Sequence, residues 1–255
     1  MKHSIQTCYS PSLYHLFEDP EAIVVVVDVL RATSAICTAI HNGVDNMIPV
    51  AHLEEALRYK KQGYLVAAER NAIMQDGCDF GNSPSHYLNN ALEGKTVVIS
   101  TTNGTQAIDA AKDATTTLIG SFLNISTVSA WLKKQNRNVI VLCAGWKNKY
   151  NLEDSLFAGA LALELLKDSR FFTECDSTIS AGYLYDLAKK DLFGFLENSS
   201  HRKRLNNLHL EDDILYCLTP DSLNTIPYVT EGLIKKMPAD YKLEPRKVLA
   251  DMKQG

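Results

Sequence analysis

Ile23-Val24-Val25-Val26-Val27 is the stretch that most limits what this chain can become. A run of β-branched residues with no polar alternation makes a stable strand only if both faces are covered. That selects a parallel sheet with helices on each side. The run ends in Asp28. Arg31, Thr33 and Ser34 follow, then a helical pattern (Ile36, Ala39, Ile40) that stops at Gly43. A strand that hands a carboxylate, a guanidinium and two hydroxyls to a turn before a helix builds an anion site, because the helix N-terminus offers free N–H groups and partial positive charge. The plainer alternative is that Asp28 and Arg31 pair with each other at the sheet edge.

The same plan recurs. Lys95 to Ser100 reads as a buried strand that runs into Thr101-Thr102-Asn103-Gly104-Thr105 and a helix from Gln106 to Lys112. One capping residue would start that helix, so the threonines and Asn exceed the need. No Lys follows the glycine, so this is not a P-loop. Asn138 to Ala144 is the third strand. It leads through Gly145-Trp146 and Asn151-Leu152-Glu153-Asp154 into a helix from Ser155 to Lys167. Glu153 and Asp154 are either first-turn acids or metal ligands. Tyr64 to Ala68 adds a strand with Glu69-Arg70 just beyond it.

Shorter strands are expected at Met47 to Val50, Thr115 to Ile119 and Ile226 to Val229, with a further one possible before Pro20. Helices are expected at His52 to Lys61, Ile125 to Gln135, Ser177 to Lys190, Leu192 to Asn198 and Leu210 to Leu218. Asn71 to Pro84 reads as a long irregular loop, the kind that carries function in α/β folds. His201-Arg202-Lys203-Arg204 reads as a solvated helix face, and Gly232 to Gly255 as a loosely held tail. No Gly-, Ser- or Pro-rich linker divides the chain, so residues 1–255 are expected to form a single domain.

Composition removes several functions. A net charge of −4 gives no basic footprint, so nucleic acid is not an expected partner. No apolar run reaches membrane-spanning length, and Met1 to Ser12 lacks the apolar core of a signal peptide. The six cysteines are scattered without C-x-x-C spacing, which reads as free thiols in a cytoplasmic protein. The histidines show no metal-ligand spacing.

In a parallel sheet the four strand ends would emerge at one carboxyl edge. They would bring together Asp28, Glu69, Glu153 and Asp154 for a hard divalent cation, Arg31 and Arg70 for charge, and hydroxyl and backbone donors for an oxyanion. Metal-assisted hydrolysis of a phosphate ester needs this inventory, with Mg2+ held by one or two carboxylates plus phosphate oxygens and water. Asp28 reads as metal ligand or nucleophile, with Arg31 beside it in catalysis. A haloacid-dehalogenase-type site is disfavoured, because Asp28-Val29-Leu30 lacks the second Asp two residues on.

Val27-Asp28-Val29-Leu30-Arg31-Ala32-Thr33-Ser34, Glu69-Arg70, Gly81-Asn82-Ser83-Pro84, Thr101 to Thr105, Cys143-Ala144-Gly145 and Leu152-Glu153-Asp154 with Ala158-Gly159 occur in an order that resembles the 2-phosphosulfolactate phosphatases of coenzyme M biosynthesis. The resemblance covers about Ile23 to Gly159 and continues weakly through Asp213 to Pro227. It implies an α/β/α fold of three layers with a largely parallel central sheet, Mg2+ dependence, and a small phosphorylated 2-hydroxy acid as substrate. A non-catalytic binder of an anionic metabolite and a phosphatase of another 2-phospho-hydroxy acid are the alternatives, and a homo-oligomer is left open. One departure is Ala68, where the family commonly has Gly. Its methyl group is tolerated unless the backbone needs positive φ. With two anionic ends to hold, Thr101, Thr102, Asn103, Gly104 and Thr105 with Arg31 are assigned to the phosphoryl group. Arg70 beside Asn82 and Ser83 is assigned to the remote acid, and Thr33 and Ser34 are further substrate candidates. The metal ligands are expected from Asp28, Glu69 and Asp154, with Glu153 in reserve.

Overall fold

The computed structural model describes residues 2–243. In chain order its elements are β1 (His3–Cys8), β2 (Ile23–Val27), α1 (Ala32–His41), β3 (Asn46–Pro49), α2 (Leu53–Lys61), β4 (Leu65–Arg70), β5 (Ile73–Met74), β6 (Thr96–Ser100), α3 (Gly104–Ala110), β7 (Thr116–Gly120) and α4 (Ile125–Gln135). There follow β8 (Val139–Cys143), α5 (Leu152–Leu166), β9 (Phe171–Phe172), α6 (Asp176–Ala188), α7 (Leu192–Phe195), α8 (Ser200–Asn206), α9 (Glu211–Cys217), β10 (Pro227–Thr230) and β11 (Leu233–Lys236). Short 3-10 turns link several of them.

The strands form one sheet in the order β5-β4-β6-β3-β11-β10-β7-β2-β8-β1-β9. It is largely parallel and lies between helices, the three-layer α/β/α architecture expected. β2, the Val-rich strand, pairs in parallel with β7 and β8 and is buried at every position. Its two faces feed two cores. Val25 and Val27 pack with Leu156, Phe157 and Leu161 of α5, and Val24 and Val26 with Ile36 and Ile40 of α1.

The sheet departs from a simple parallel one at β10 and β11. These strands form an antiparallel hairpin that pairs on one side with β7 and on the other with β3, also antiparallel. Three successive reversals make β4-β6-β3 run opposite to β7-β2-β8-β1-β9 along the sheet. In a flat sheet their carboxyl ends would leave by opposite edges, so the single carboxyl edge expected from the sequence does not exist as such. Yet the ends meet: a Cβ on Gly104, beyond β6, would lie 3.3 Å from the Asp28 carboxylate, beyond β2. Twist resolves the conflict. Five strand-to-strand steps separate β6 from β2, and at roughly 20–25° each they accumulate about 100–125° of rotation. The curled sheet wraps α1, whose residues Ala32 to Ile40 are all buried. A helix covered on all sides needs no solvated face, and the hydroxyls this one carries before His41, on Thr33, Ser34 and Thr38, donate to backbone carbonyls.

The tail expected from residue 232 on is instead integral as far as Lys236, because β11 lies inside the sheet. The rest of that expectation, from residue 244 on, lies outside the described residues. Ala68 sits within β4 opposite Ser100 on ordinary extended backbone, so its methyl is accommodated.

The outer layer is set by one close approach. A Cβ on Gly159 of α5 would lie 2.0 Å from the Ala181 carbonyl of α6, so the two helices touch backbone to backbone. Gly159→Ala would gain about 1 kcal/mol of helix propensity but force the helices apart, an overpacking cost of roughly 1–3 kcal/mol or more. Because the clash is with backbone, the variant is expected to be net destabilised, read as a lower urea midpoint at unchanged slope.

Candidate active site

The turn after β2 is built by its own hydroxyls. Thr33 Oγ1 accepts from the Asp28 N–H at 3.0 Å and donates to the Asp28 carbonyl at 2.9 Å, and Ser34 donates to the Val29 carbonyl at 2.8 Å. Both are fully buried and so shape the turn rather than face a ligand. Asp28 and Arg31 do not pair with each other. Arg31 reaches across a cis Leu30–Arg31 peptide to Asp213 of α9, with Nη1 donating to Oδ2 at 2.5 Å. Its Nη2 donates to the Ala72 carbonyl at 2.9 Å and to Asn82 Oδ1 at 3.0 Å. Asp213 also accepts from the Ser83 hydroxyl at 2.7 Å. The guanidinium is thus the knot that ties α9, the 82–83 loop and the β4–β5 turn to the end of β2.

Glu69 and Arg70 are the last two residues of β4, and β5 turns back antiparallel on it, so the expected irregular segment opens with a tight hairpin. Its turn residues Asn71 and Ala72 have φ of 54° and 68°, the left-handed values that such two-residue hairpins require. This geometry aims the Ala72 N–H at Glu69 Oε1. Glu69 Oε2 meets Asn82 Nδ2 at 3.4 Å and the Thr102 hydroxyl at 3.5 Å. Arg70 points elsewhere. Its guanidinium donates to the Ser100 carbonyl and hydroxyl at the end of β6, at 3.2 and 3.0 Å, and does not line the cavity.

Beyond β6, the Thr105 N–H donates to Thr101 Oγ1 and the Thr105 hydroxyl to the Thr101 carbonyl, so these two threonines cap α3. Thr102 and Asn103 are the members of this turn that reach the cavity. Asn103 Oδ1 is fixed by the Lys147 N–H at 2.9 Å.

Glu153 and Asp154 open α5 and are almost fully buried. Asp154 accepts from two backbone N–H groups, Val29 at 2.8 Å and Gly145 at 3.2 Å, and so clamps the end of β2 to the end of β8. Glu153 Oε1 lies 2.6 Å from His201 Nδ1 and 3.3 Å from Asn151 Nδ2. His201 and Arg204, three apart on α8, share one face and line the cavity, whereas Lys203 between them is exposed and Arg202 is buried. The basic run is therefore not a solvated face. Arg204 lies 4.0 Å over the Trp146 ring, and its Nη2 is buried without a hydrogen-bond partner among the described residues. Asp213, His201, Arg204 and Trp146 are the site residues that the sequence reading missed. The i, i+3 spacing of His201 and Arg204 was the available signal.

These groups surround a small polar cavity lined by Asp28, Arg31, Glu69, Asn82, Thr102 and Asn103 from the first half and by Trp146, His201 and Arg204 from the second. Asp28 is its electrostatic focus. Among the described residues no donor bonds its carboxylate. Burial pushes its pKa well above the usual carboxylate range, and Asp154, Glu69 and Glu153 add to the rise while His201 opposes it. Burial and Glu153 also raise Asp154, against the pull of its two amide donors. Among the described residues no three His, Cys, Asp or Glu side chains are placed to share one ion, and no helix is long and apolar enough to cross a membrane.

A family model described as 2-phosphosulpholactate phosphatase matches residues 8–232. The chain is 36% identical over 219 residues to a probable 2-phosphosulfolactate phosphatase of Caldanaerobacter subterraneus subsp. tengcongensis, covering 84% of this chain and 90% of that protein. It is 39% identical over 216 residues to a protein of the same name in Thermotoga petrophila, covering 84% and 92%. A relative with that name in Clostridium novyi is 37% identical over 207 residues, covering 80% and 87%.

Two stability measurements probe this geometry. Because the folded state holds the Asp28 proton to higher pH than the unfolded chain does, stability falls as pH rises from about 4 toward the raised value. Asp28→Asn keeps the shape and removes the charge, so the folded variant should melt higher than wild type near pH 8 without divalent ions, with a flatter pH slope. Ala72→Gly relieves a left-handed alanine and should stabilise the protein by about 1 kcal/mol in urea denaturation.

Proposed function

The chain belongs to the 2-phosphosulpholactate phosphatase family, and from that premise we propose that it is a Mg2+-dependent phosphoric monoester hydrolase acting on the phosphate ester of a 2-hydroxy acid, 2-phosphosulfolactate above all. The observation that carries the reading is the Asp28 carboxylate. It is buried, faces a polar cavity and has no donor among the described residues. A protein keeps such a charge where something positive arrives to meet it.

The donor set fits a hard cation. Asp28 and Glu69 line the cavity together and offer only oxygen, and two carboxylates suffice for Mg2+, which keeps water and substrate oxygens for its remaining positions. Asp154 and Glu153 drop out of the ligand set: neither lines the cavity, both oxygens of Asp154 hold backbone amides and Glu153 is engaged with His201, whereas Glu69 Oε2 has only long contacts of 3.4 and 3.5 Å. When bound, the ion supplies charge neutralisation at the phosphoryl oxygens. Thr102 and Asn103 are placed to donate to those oxygens. Arg31, locked to Asp213, orients Asn82 and the β4–β5 turn rather than moving with substrate. Arg204, stacked on Trp146 with a free Nη2, replaces Arg70 as the group for the substrate's second anionic end.

Wild-type protein with Mg2+ should release inorganic phosphate from 2-phosphosulfolactate and stop on chelation with EDTA. Asp28→Asn should fold and lose at least about 10²-fold in kcat/KM, roughly 2.7 kcal/mol of barrier. Mg2+ should raise the melting temperature of wild type but not of Asp28→Asn, a linkage effect independent of turnover. Substrate binding without phosphate release would make the protein a metabolite binder instead. Arg204→Ala should raise KM about tenfold or more for the dianionic substrate, in line with the roughly 1.5–3 kcal/mol of a charged hydrogen bond.

A further inference from the structure

We propose that His201, held by Glu153, is the general acid that protonates the ester oxygen as the phosphoryl group leaves. The inference rests on the phosphatase reading and adds a catalytic residue to it.

The pair is built for orientation. Glu153 sits in the first turn of α5, beside the Asp154 clamp that fixes this turn to the end of β2. Its carboxylate is 1% exposed and meets His201 Nδ1 at 2.6 Å. The other carboxylate oxygen, Oε2, is buried with no partner among the described residues. The carboxylate's contacts are therefore the imidazole and, at a longer 3.3 Å, Asn151 Nδ2, both on Oε1. Engaging Nδ1 fixes the ring's tautomer and leaves Nε2, on the far side of the ring, to serve the cavity that His201 lines. This is the arrangement of a base or acid oriented by a third group. It comes from a different part of the chain than Asp28 and Glu69.

The chemistry needs such a group. The alkoxide of a 2-hydroxy acid is a poor leaving group, so its departure is helped by a proton. Arg31 and Arg204 do not release theirs at neutral pH. Thr102 and Asn103 donate hydrogen bonds without ionising, and the carboxylates of Asp28 and Glu69 are assigned to the cation. No cysteine lines the cavity. Among the described residues on its wall, His201 is the remaining acid–base side chain. In the step, the bond between phosphorus and the ester oxygen breaks and its electron pair stays on that oxygen. The oxygen takes the proton from Nε2 and leaves as the alcohol. Water supplies the oxygen of the new bond to phosphorus, and one of its protons restores the ring. Ester plus water gives alcohol plus phosphate.

The test compares leaving groups. His201→Asn and Glu153→Gln are assayed on an alkyl 2-phospho-acid and on 4-nitrophenyl phosphate, whose phenolate departs without protonation. Circular dichroism and melting first confirm that each variant is folded. His201→Asn should lose about 10²–10⁴-fold in kcat on the alkyl ester, the usual worth of general acid catalysis, and less than tenfold on the nitrophenyl ester. Glu153→Gln, a positioning change, should show a smaller loss with the same contrast. Added imidazole should restore part of the alkyl-ester rate to His201→Gly. Equal losses on the two esters, or an unimpaired alkyl-ester rate in His201→Asn, would overturn the assignment while leaving the phosphatase intact. A wild-type protein active on neither ester would overturn both.

Discussion

Four carboxylates buried at one place are the constraint around which this molecule is arranged. Burial and the neighbouring carboxylates push Asp28 and Asp154 above the usual carboxylate range, because water screens them poorly there. Three are met by local devices. Asp154 takes two backbone amides, Glu153 takes an imidazole, and Glu69 takes the N–H of a strained hairpin turn plus an amide and a hydroxyl. Asp28 has no such device among the described residues. Several of these contacts, those of Asp154 with Val29, Glu153 with His201 and Glu69 with Thr102, join segments distant in sequence, so neutralising the acids and assembling the cavity are the same act.

The buried Arg31–Asp213 pair belongs to this logic. A desolvated ion pair adds little net stability over a well-packed apolar pair of the same size, but removing one partner strands the other. Its value here is registry. It sets α9 against the turn after β2 and, through Asn82 and Ala72, holds the β4–β5 turn in place. The last third of the chain is thereby the second wall of the cavity: α9 anchors it, and α8 contributes His201 and Arg204.

Much of this was legible in the sequence. The unbroken Val run fixed β2 as buried on both faces, and the strand–turn–helix units recurred where the structure has them. Asp28, Glu69, Asn82, Thr102 and Asn103 do meet in one cavity. What escaped had physical reasons. Thr33, Ser34, Thr101 and Thr105 are consumed by their own turns, a use indistinguishable in sequence from ligand binding. Arg70 sits one residue after Glu69 on a strand, and alternation sends the two side chains to opposite faces. The β4–β5 turn carries Asn-Ala where a glycine would have announced it. The reversal at β10 and β11 depends on pairing partners far away in the chain, which local periodicity does not encode. His201 and Arg204 were hidden in a basic run whose members face three different environments.

That reversal also bears on how the chain is made. β11 pairs with β3, and β10 with β7, across about 190 and 110 residues. On a ribosome the two parallel blocks emerge first, and neither can be stitched to the other until the hairpin follows. Until then one side of α1, an apolar helix meant to be enclosed, faces solvent, and two strand edges stand open. Such long-range closure folds slowly. The final hairpin is therefore the latch that closes the sheet, and this late-synthesised segment joins the two halves that precede it.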